Sequence, residues 1–350
     1  MKRADEGMGF LLRYENVAWY EDGAVRILDR RIYPVKTEYV LCRHHEEVAQ
    51  AIADMVTQSG GPYTAAAMGM ALAAYEAREM EGEKLALYME KAAYTLSHAR
   101  PTTAAKMARI TDGAFKIAKE LIKKGADGAG LVEPLRSYAF DYINNNYLKY
   151  EVIGSYLADL IPENGTILTQ CFAETIIGTL IRECHRRNSD IKMICAETRP
   201  YFQGARLTAS VAWDMGVDVS VITDNMPGFI MKEKKVDVFT SAADVITMDG
   251  YVVNKVGTFQ IALAAAYHNI PYFVTGTPNP DHKTIDTVQI EYRDPALVMD
   301  AMGTRVTKEG VKAYYPAFDI TPPKLCNGVV TDKGVFAPYN LAAYFAPEKG

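Results

Sequence analysis

Reactive and charged side chains cluster where apolar, strand-like runs end in the second half of the chain. Thr166–Gln170 is followed by Cys171. A thiol at a strand-to-helix junction can be held as a thiolate, or can sit beside a bound anion, because the helix N-terminus is positive. The same position equally suits an inert buried cysteine. Ile191–Ala196 runs into Glu197-Thr198-Arg199-Pro200-Tyr201-Phe202-Gln203-Gly204-Ala205-Arg206. Two arginines, a glutamine and a glycine after a strand suggest an anion-binding turn, or else a capping and ion-pair network. Val236–Ser241 leads through Ala242-Ala243 to Asp244. A carboxylate among small apolar residues is a candidate acid or base, since desolvation raises its pKa, and it is equally a candidate turn cap. Asn254-Lys255, read as the opening of a helix, could hold a phosphate by dipole, amide and ammonium together.

Other chemistry is not signalled. No G-x-G-x-x-G follows a strand and no G-x-x-x-x-G-K-[ST] occurs, so neither a dinucleotide fingerprint nor a P-loop is indicated. His44-His45-Glu46-Glu47 is not H-E-x-x-H, and the six histidines lack ligand spacing, so no metal is expected.

The elements that must position these residues differ between the two halves. From residue 161 onward, short apolar runs (Thr166–Gln170, Ile191–Ala196, Val217–Thr223, Val236–Ser241, Tyr272–Thr275) alternate with helical patterns at Thr175–Arg187, Arg206–Met215 and Val256–His268. That alternation predicts a doubly wound α/β domain with a mainly parallel sheet, whose ligands bind beyond the carboxyl ends of the strands. The first half reads as a mainly helical domain over 1–130. A small hairpin opens it: Val17–Tyr20 and Ala24–Leu28 flank Glu21-Asp22-Gly23. Helical patterns follow from Glu46 and at Thr64–Arg78, Lys84–Thr95 and Thr102–Lys124, with Gly125–Gly130 as a glycine-rich loop. A connecting helix is expected over 131–160, with Tyr138, Tyr142 and Tyr156 packing at a domain interface.

The 350 residues carry 38 Lys plus Arg against 43 Asp plus Glu, a net charge of −5 that gives no basic surface for nucleic acid. Five cysteines without a C-x-x-C pair fit a reducing compartment. Met1–Phe10 has no apolar signal core, and the longest near-apolar stretch, Thr64–Tyr75, falls well short of the ~20 residues a membrane helix needs. The expectation is a cytoplasmic protein that does not bind a membrane.

Five segments in order, Leu168–Ala173 (LTQCFA), Glu197–Thr208 (ETRPYFQGARLT), Ile222–Met226 (ITDNM), Asp249–Thr258 (DGYVVNKVGT) and Pro316–Pro322 (PAFDITP), resemble the 5-methylthioribose-1-phosphate isomerase family. Asp22–Arg26 and Glu47–Val56 extend the resemblance to the N-terminus. Its superfamily includes ribose-1,5-bisphosphate isomerase and the regulatory subunits of initiation factor 2B. The resemblance implies a helical N-terminal domain, a Rossmann-like C-terminal domain, a homodimer and a phosphosugar substrate. It also implies roles: Cys171 and Asp244 catalytic, and Arg100, Gln203, Asn254 and Lys255 holding the phosphosugar. The reaction the resemblance implies is an aldose–ketose isomerisation in methionine salvage. It is internally redox-neutral, so no cofactor is expected.

The chain also departs from that family's pattern. Ser59-Gly60-Gly61-Pro62 stands for R-G-A-P, Phe172-Ala173-Glu174 for N-A-G after the cysteine, Ala242-Ala243-Asp244-Val245 for G-A-D-R, and Tyr315 for the Asn of N-P-A-F-D. These departures admit another phosphosugar, such as ribose 1,5-bisphosphate or 5-deoxyribose 1-phosphate. They also admit a non-catalytic sugar-phosphate-binding regulatory protein.

Overall fold

The computed structural model describes residues 3–100 and 104–347. Pro101 and the Thr102-Thr103 start expected for a helix lie outside the described residues. The chain divides into two compact units: residues 1–6 with Phe10–Leu148, and Gly7–Gly9 with Lys149–Gly350.

In the first unit, β1 (Ala18–Glu21), β2 (Ala24–Leu28) and β3 (Tyr39–Cys42) form an antiparallel sheet in sequence order. Asp22 and Gly23 both have positive φ (48° and 74°), as a type I′ turn requires, and they close the expected hairpin. The third strand was not legible in the sequence. Helices α1 (His45–Ala53), α2 (Gly61–Glu76), α3 (Gly82–Ser97), α4 (Ala104–Lys123) and α5 (Gly128–Ala158) follow. Helix α2, made largely of Ala, Met and Gly, has little polar face and is buried nearly all round. Its neighbours come close: a Cβ on Gly69 would lie 2.9 Å from Leu96 Cδ2. Leu85, Met89, Ala92 and Leu96 of α3, and Met107, Ile110, Ala114 and Ala118 of α4, complete this core.

The second unit contains β4 (Thr166–Gln170), α6 (Thr175–Arg186), β5 (Lys192–Ala196), α7 (Ala209–Asp214), β6 (Asp218–Ile222), α8 (Pro227–Glu233) and β7 (Val238–Ala242). Next come β8 (Val245–Ile246), β9 (Val252–Lys255), α9 (Thr258–Tyr267), β10 (Tyr272–Thr275), α10 (Ala296–Met299), β11 (Asp300–Ala301), β12 (Thr304–Arg305), β13 (Phe318–Thr321), β14 (Gly328–Thr331) and β15 (Gly334–Phe336). The main sheet has the order β15-β14-β10-β7-β4-β5-β6. Its pairs are parallel except β14 with β15. Leu168, Ile194, Phe239, Val274 and Val329 are buried along its middle, which explains why these strands read as continuous apolar runs. The doubly wound expectation is met. A second small sheet, β13-β9-β8, is antiparallel.

Two expectations need correction. Asn254-Lys255 do not open a helix; they end β9, and α9 starts at Thr258. The segment 125–130 is not all loop, because α5 begins at Gly128 and continues as one helix through the 148/149 division of the units. Tyr138 and Tyr142 pack against the first unit's core, with the Tyr138 hydroxyl donating to the Ile110 carbonyl at 3.0 Å.

Candidate active site

Strand order locates the site. From β4 the chain moves through α6 to β5 on one side, whereas β7 lies on the other side of β4 and leads on to β10. The connections leave in opposite directions between β4 and β7, which opens a crevice at their carboxyl ends. The register Leu168↔Phe239 and Thr169↔Thr240 brings the two ends level. Cys171 follows β4 directly, and Asp244 lies two residues beyond β7.

Cys171 is held in a left-handed conformation, φ 63°. Its amide donates to Thr198 Oγ1 at 2.9 Å, and Thr208 Oγ1 donates to its carbonyl at 2.5 Å. Both threonines are fully buried. Cys171 is the one of the five cysteines that is not buried as a residue. Burial of its sulfur nonetheless pushes the thiol up to about 11, with Lys255 and Arg293 pulling down and Asp244 pushing up. The thiol is therefore neutral near pH 7. The thiolate that a helix dipole was expected to support is not the resting form, because desolvation outweighs it.

Asp244 is exposed rather than desolvated, which corrects the expected apolar setting of this carboxylate. Its amide donates to the Val253 carbonyl at 2.9 Å, tying it to β9.

Lys255 is almost fully buried. Its Nζ donates to the Ala317 carbonyl at 3.0 Å and sits 4.5 Å from the centre of the Phe318 ring. Burial pulls the ammonium down, Cys171, Asp244 and Glu291 support its charge, and Arg293 opposes it. Cys171, Asp244, Lys255 and Arg293 thus share one electrostatic neighbourhood. Arg293 was not singled out from sequence. Its guanidinium pairs with Glu291 at 2.6 Å and lies 5.6 Å from the Phe318 ring centre and 5.8 Å from that of Tyr201.

Asn254 is buried, and its Nδ2 donates to Thr258 Oγ1 at 3.0 Å and toward Gln170 Oε1 at 3.5 Å. Gln170 in turn donates to the Val256 carbonyl at 3.1 Å. The helix start once expected to receive a phosphate is already filled. Asp319 of β13 accepts from Gly257 N at 2.6 Å and Phe259 N at 3.1 Å. Burial pushes the Asp319 carboxyl up to about 6, against those two N–H groups and Lys255.

The segment after β5 is internally bonded, as the capping alternative for it expects. Asp224 accepts from the amides of Thr198 (2.8 Å) and Arg199 (2.7 Å). The Arg199 guanidinium donates to the carbonyls of Val298 (3.0 Å) and Asp300 (2.8 Å), and that of Arg206 to the carbonyl of Tyr201 (3.3 Å). Glu197 is raised by burial and by Asp224, with Arg199 opposing. Gly204 cannot carry a side chain, since a Cβ there would lie 1.8 Å from the Ala196 carbonyl oxygen. Gln203, just before that glycine, is buried, and among the described residues its Oε1 has no hydrogen-bond partner. Arg100 belongs to the first unit, where it is half-buried just beyond α3. Thr198, Thr208 and Asp319 lay inside the quoted motifs but had no local pattern to mark their roles.

The family profile described as "Initiation factor 2 subunit family" matches residues 59–338. A methylthioribose-1-phosphate isomerase of Thermotoga petrophila is 35% identical over 339 residues, 93% of this chain and 96% of that protein. One from Thermosipho africanus is 34% identical, covering 95% of this chain and 99% of its own. The crystal structure of 5-methylthioribose 1-phosphate isomerase from Pyrococcus horikoshii superposes with a TM-score of 0.83 at 30% identity, over 94% of this chain and 95% of that one. The chain belongs to the initiation factor 2 subunit family, and within it this protein is an isomerase.

Proposed function

We propose that the protein converts a 5-substituted ribose 1-phosphate to the corresponding ribulose 1-phosphate, with 5-methylthioribose 1-phosphate as the default substrate and methionine salvage as the setting. The observation that carries this reading is the placement of Cys171 and Asp244 at the level ends of β4 and β7, flanking the crevice. The names of the relatives support the substrate class.

A phosphate on the anomeric oxygen blocks free ring opening. In the proposed reaction Asp244, exposed in the free chain and shielded from water once the sugar covers it, donates a proton to the ring oxygen as the bond from C1 to that oxygen breaks. The hydrogen on C2 moves to C1. In the hydride route the C2 hydroxyl proton then goes to the Asp244 carboxylate, leaving a ketone at C2 and restoring the acid. The neutral Cys171 thiol suits this route, because it needs no thiolate. The enediol route instead requires Cys171 to give up its proton first. Arg100, Gln203, Asn254 and Lys255 are the proposed phosphosugar-binding residues, and a homodimer in the cytoplasm is part of the same reading.

The test is turnover of a panel of ribose 1-phosphates by the purified chain, with ketose formation followed by NMR. Asp244→Asn is expected to lower kcat by ~10²–10⁴, the usual contribution of an acid–base group, whereas a loss of that size in Cys171→Ser would mark the enediol route. Binding of the sugar phosphate with no ketose formed by the wild type would instead support the non-catalytic regulatory reading. Sedimentation at twice 38.8 kDa would support the dimer.

A further inference from the structure

The region between β12 and β13 brings a further buried polar group, Tyr315, within electrostatic reach of Cys171. The Arg293 amide donates to the Tyr315 carbonyl at 3.0 Å, and the Ala317 amide donates to the Glu291 carbonyl at 2.8 Å. This short antiparallel pairing fixes Tyr315 next to Arg293. The Tyr315 ring lies 6.4 Å from that of Tyr201. Tyr315 is 2% exposed, and among the described residues its hydroxyl has no partner of normal hydrogen-bond geometry beyond the facing Arg293 guanidinium, which leaves its O–H without an acceptor. A buried O–H that donates to nothing costs free energy, so the residue is not explained by packing alone.

The surroundings restrict what could satisfy it. Arg293 faces the hydroxyl and, as a guanidinium, has donors only. Burial pushes the hydroxyl up to about 12, so it keeps its proton at neutral pH. The same hydroxyl lies within electrostatic reach of the Cys171 thiol. Lone pairs turned toward Arg293 leave the O–H free to donate. The missing partner is thus an acceptor.

We propose that Tyr315 is a specificity-determining residue whose hydroxyl donates a hydrogen bond to an oxygen of the bound sugar phosphate, beside Cys171. This deepens the proposed function and rests on it. The oxygen belongs either to the phosphate or to the sugar, since both present the required acceptor.

The experiment compares the full wild-type chain with Tyr315→Phe, which removes one oxygen and keeps the ring. With 5-methylthioribose 1-phosphate, kcat/KM is expected to fall by ~10- to 100-fold, the range for a hydrogen bond to a charged or strongly polar partner. The Tm is expected to stay level or rise, because an unsatisfied buried hydroxyl has been deleted. Inhibition by inorganic phosphate separates the two sources. A parallel loss of phosphate affinity assigns the phosphate oxygen, and unchanged phosphate affinity assigns the sugar oxygen. Unchanged kcat/KM overturns the proposal, and so does a fall in Tm, which would mark Tyr315 as structural. A wild-type chain that neither binds nor converts the sugar phosphate removes the reading beneath the proposal. That outcome is distinct, because the wild type itself is then silent.

Discussion

The amide of Cys171 donates to the side-chain oxygen of Thr198 at 2.9 Å, joining the loops that leave two neighbouring strands, β4 and β5. Thr198 also donates that hydroxyl to the Ala196 carbonyl at 3.0 Å. It therefore holds the left-handed backbone at Cys171 from the side. Thr198→Val keeps the shape but leaves the Cys171 amide without its acceptor. The expected effect is a loss of about 1–3 kcal/mol in stability, read by urea denaturation, with a lower kcat as Cys171 loses its fixed backbone.

Cys171 should react slowly but selectively with thiol reagents. The other four cysteines are buried. Alkylation by iodoacetamide, mapped by mass spectrometry, should begin at Cys171. Its rate should keep rising toward about pH 11, where an ordinary thiol levels off near ~8.5. Lys255→Met removes a nearby positive charge and should push that rise to still higher pH.

Asp319 gives a signed pH effect. Its folded carboxyl sits near 6, above the ~3.9 of an unfolded chain. The folded state therefore holds the proton more readily. The contribution to stability is fully present below about pH 4 and is lost as pH rises through 6. Asp319→Asn should remove this component, so the difference in stability between variant and wild type should change across pH 4–7. A constant difference would show that Asp319 does not titrate in that window.

Gly204→Ala should be among the most damaging small substitutions. The new methyl would press on the backbone oxygen of Ala196, which is fixed in β5. A loss of about 1–3 kcal/mol or more is expected from overpacking, visible as a lower urea midpoint.

Arg100→Ala tests the proposed role of this arginine in holding the phosphosugar. Calorimetric titration with 5-methylthioribose 1-phosphate should show a loss of about 1.5–3 kcal/mol, the range for hydrogen bonds to a charged group. Unchanged affinity would remove Arg100 from the binding set.

Much of this protein was legible from its sequence because the signals are local. Alternation of apolar runs with helical periods marks β4, α6, β5, β6, β7, α9 and β10 to within a few residues. Asp22-Gly23 names its own turn by supplying two residues that tolerate positive φ. Cys171 and Asp244 stand at strand ends that the same periodicity delimits. Tertiary structure alone decided what those ends meet. Strand order makes β4 and β7 neighbours, and no residue pattern encodes that order. The β9–β13 pairing brings Asp319 to the amide of Gly257 across 62 residues, so a helix start that looked available for phosphate is occupied. Burial raises the Cys171 thiol where position in the chain suggested a thiolate, and Asp244 remains exposed where its neighbours suggested an apolar setting. Period and turn chemistry act over a few residues, whereas desolvation and strand pairing depend on segments far apart in the chain.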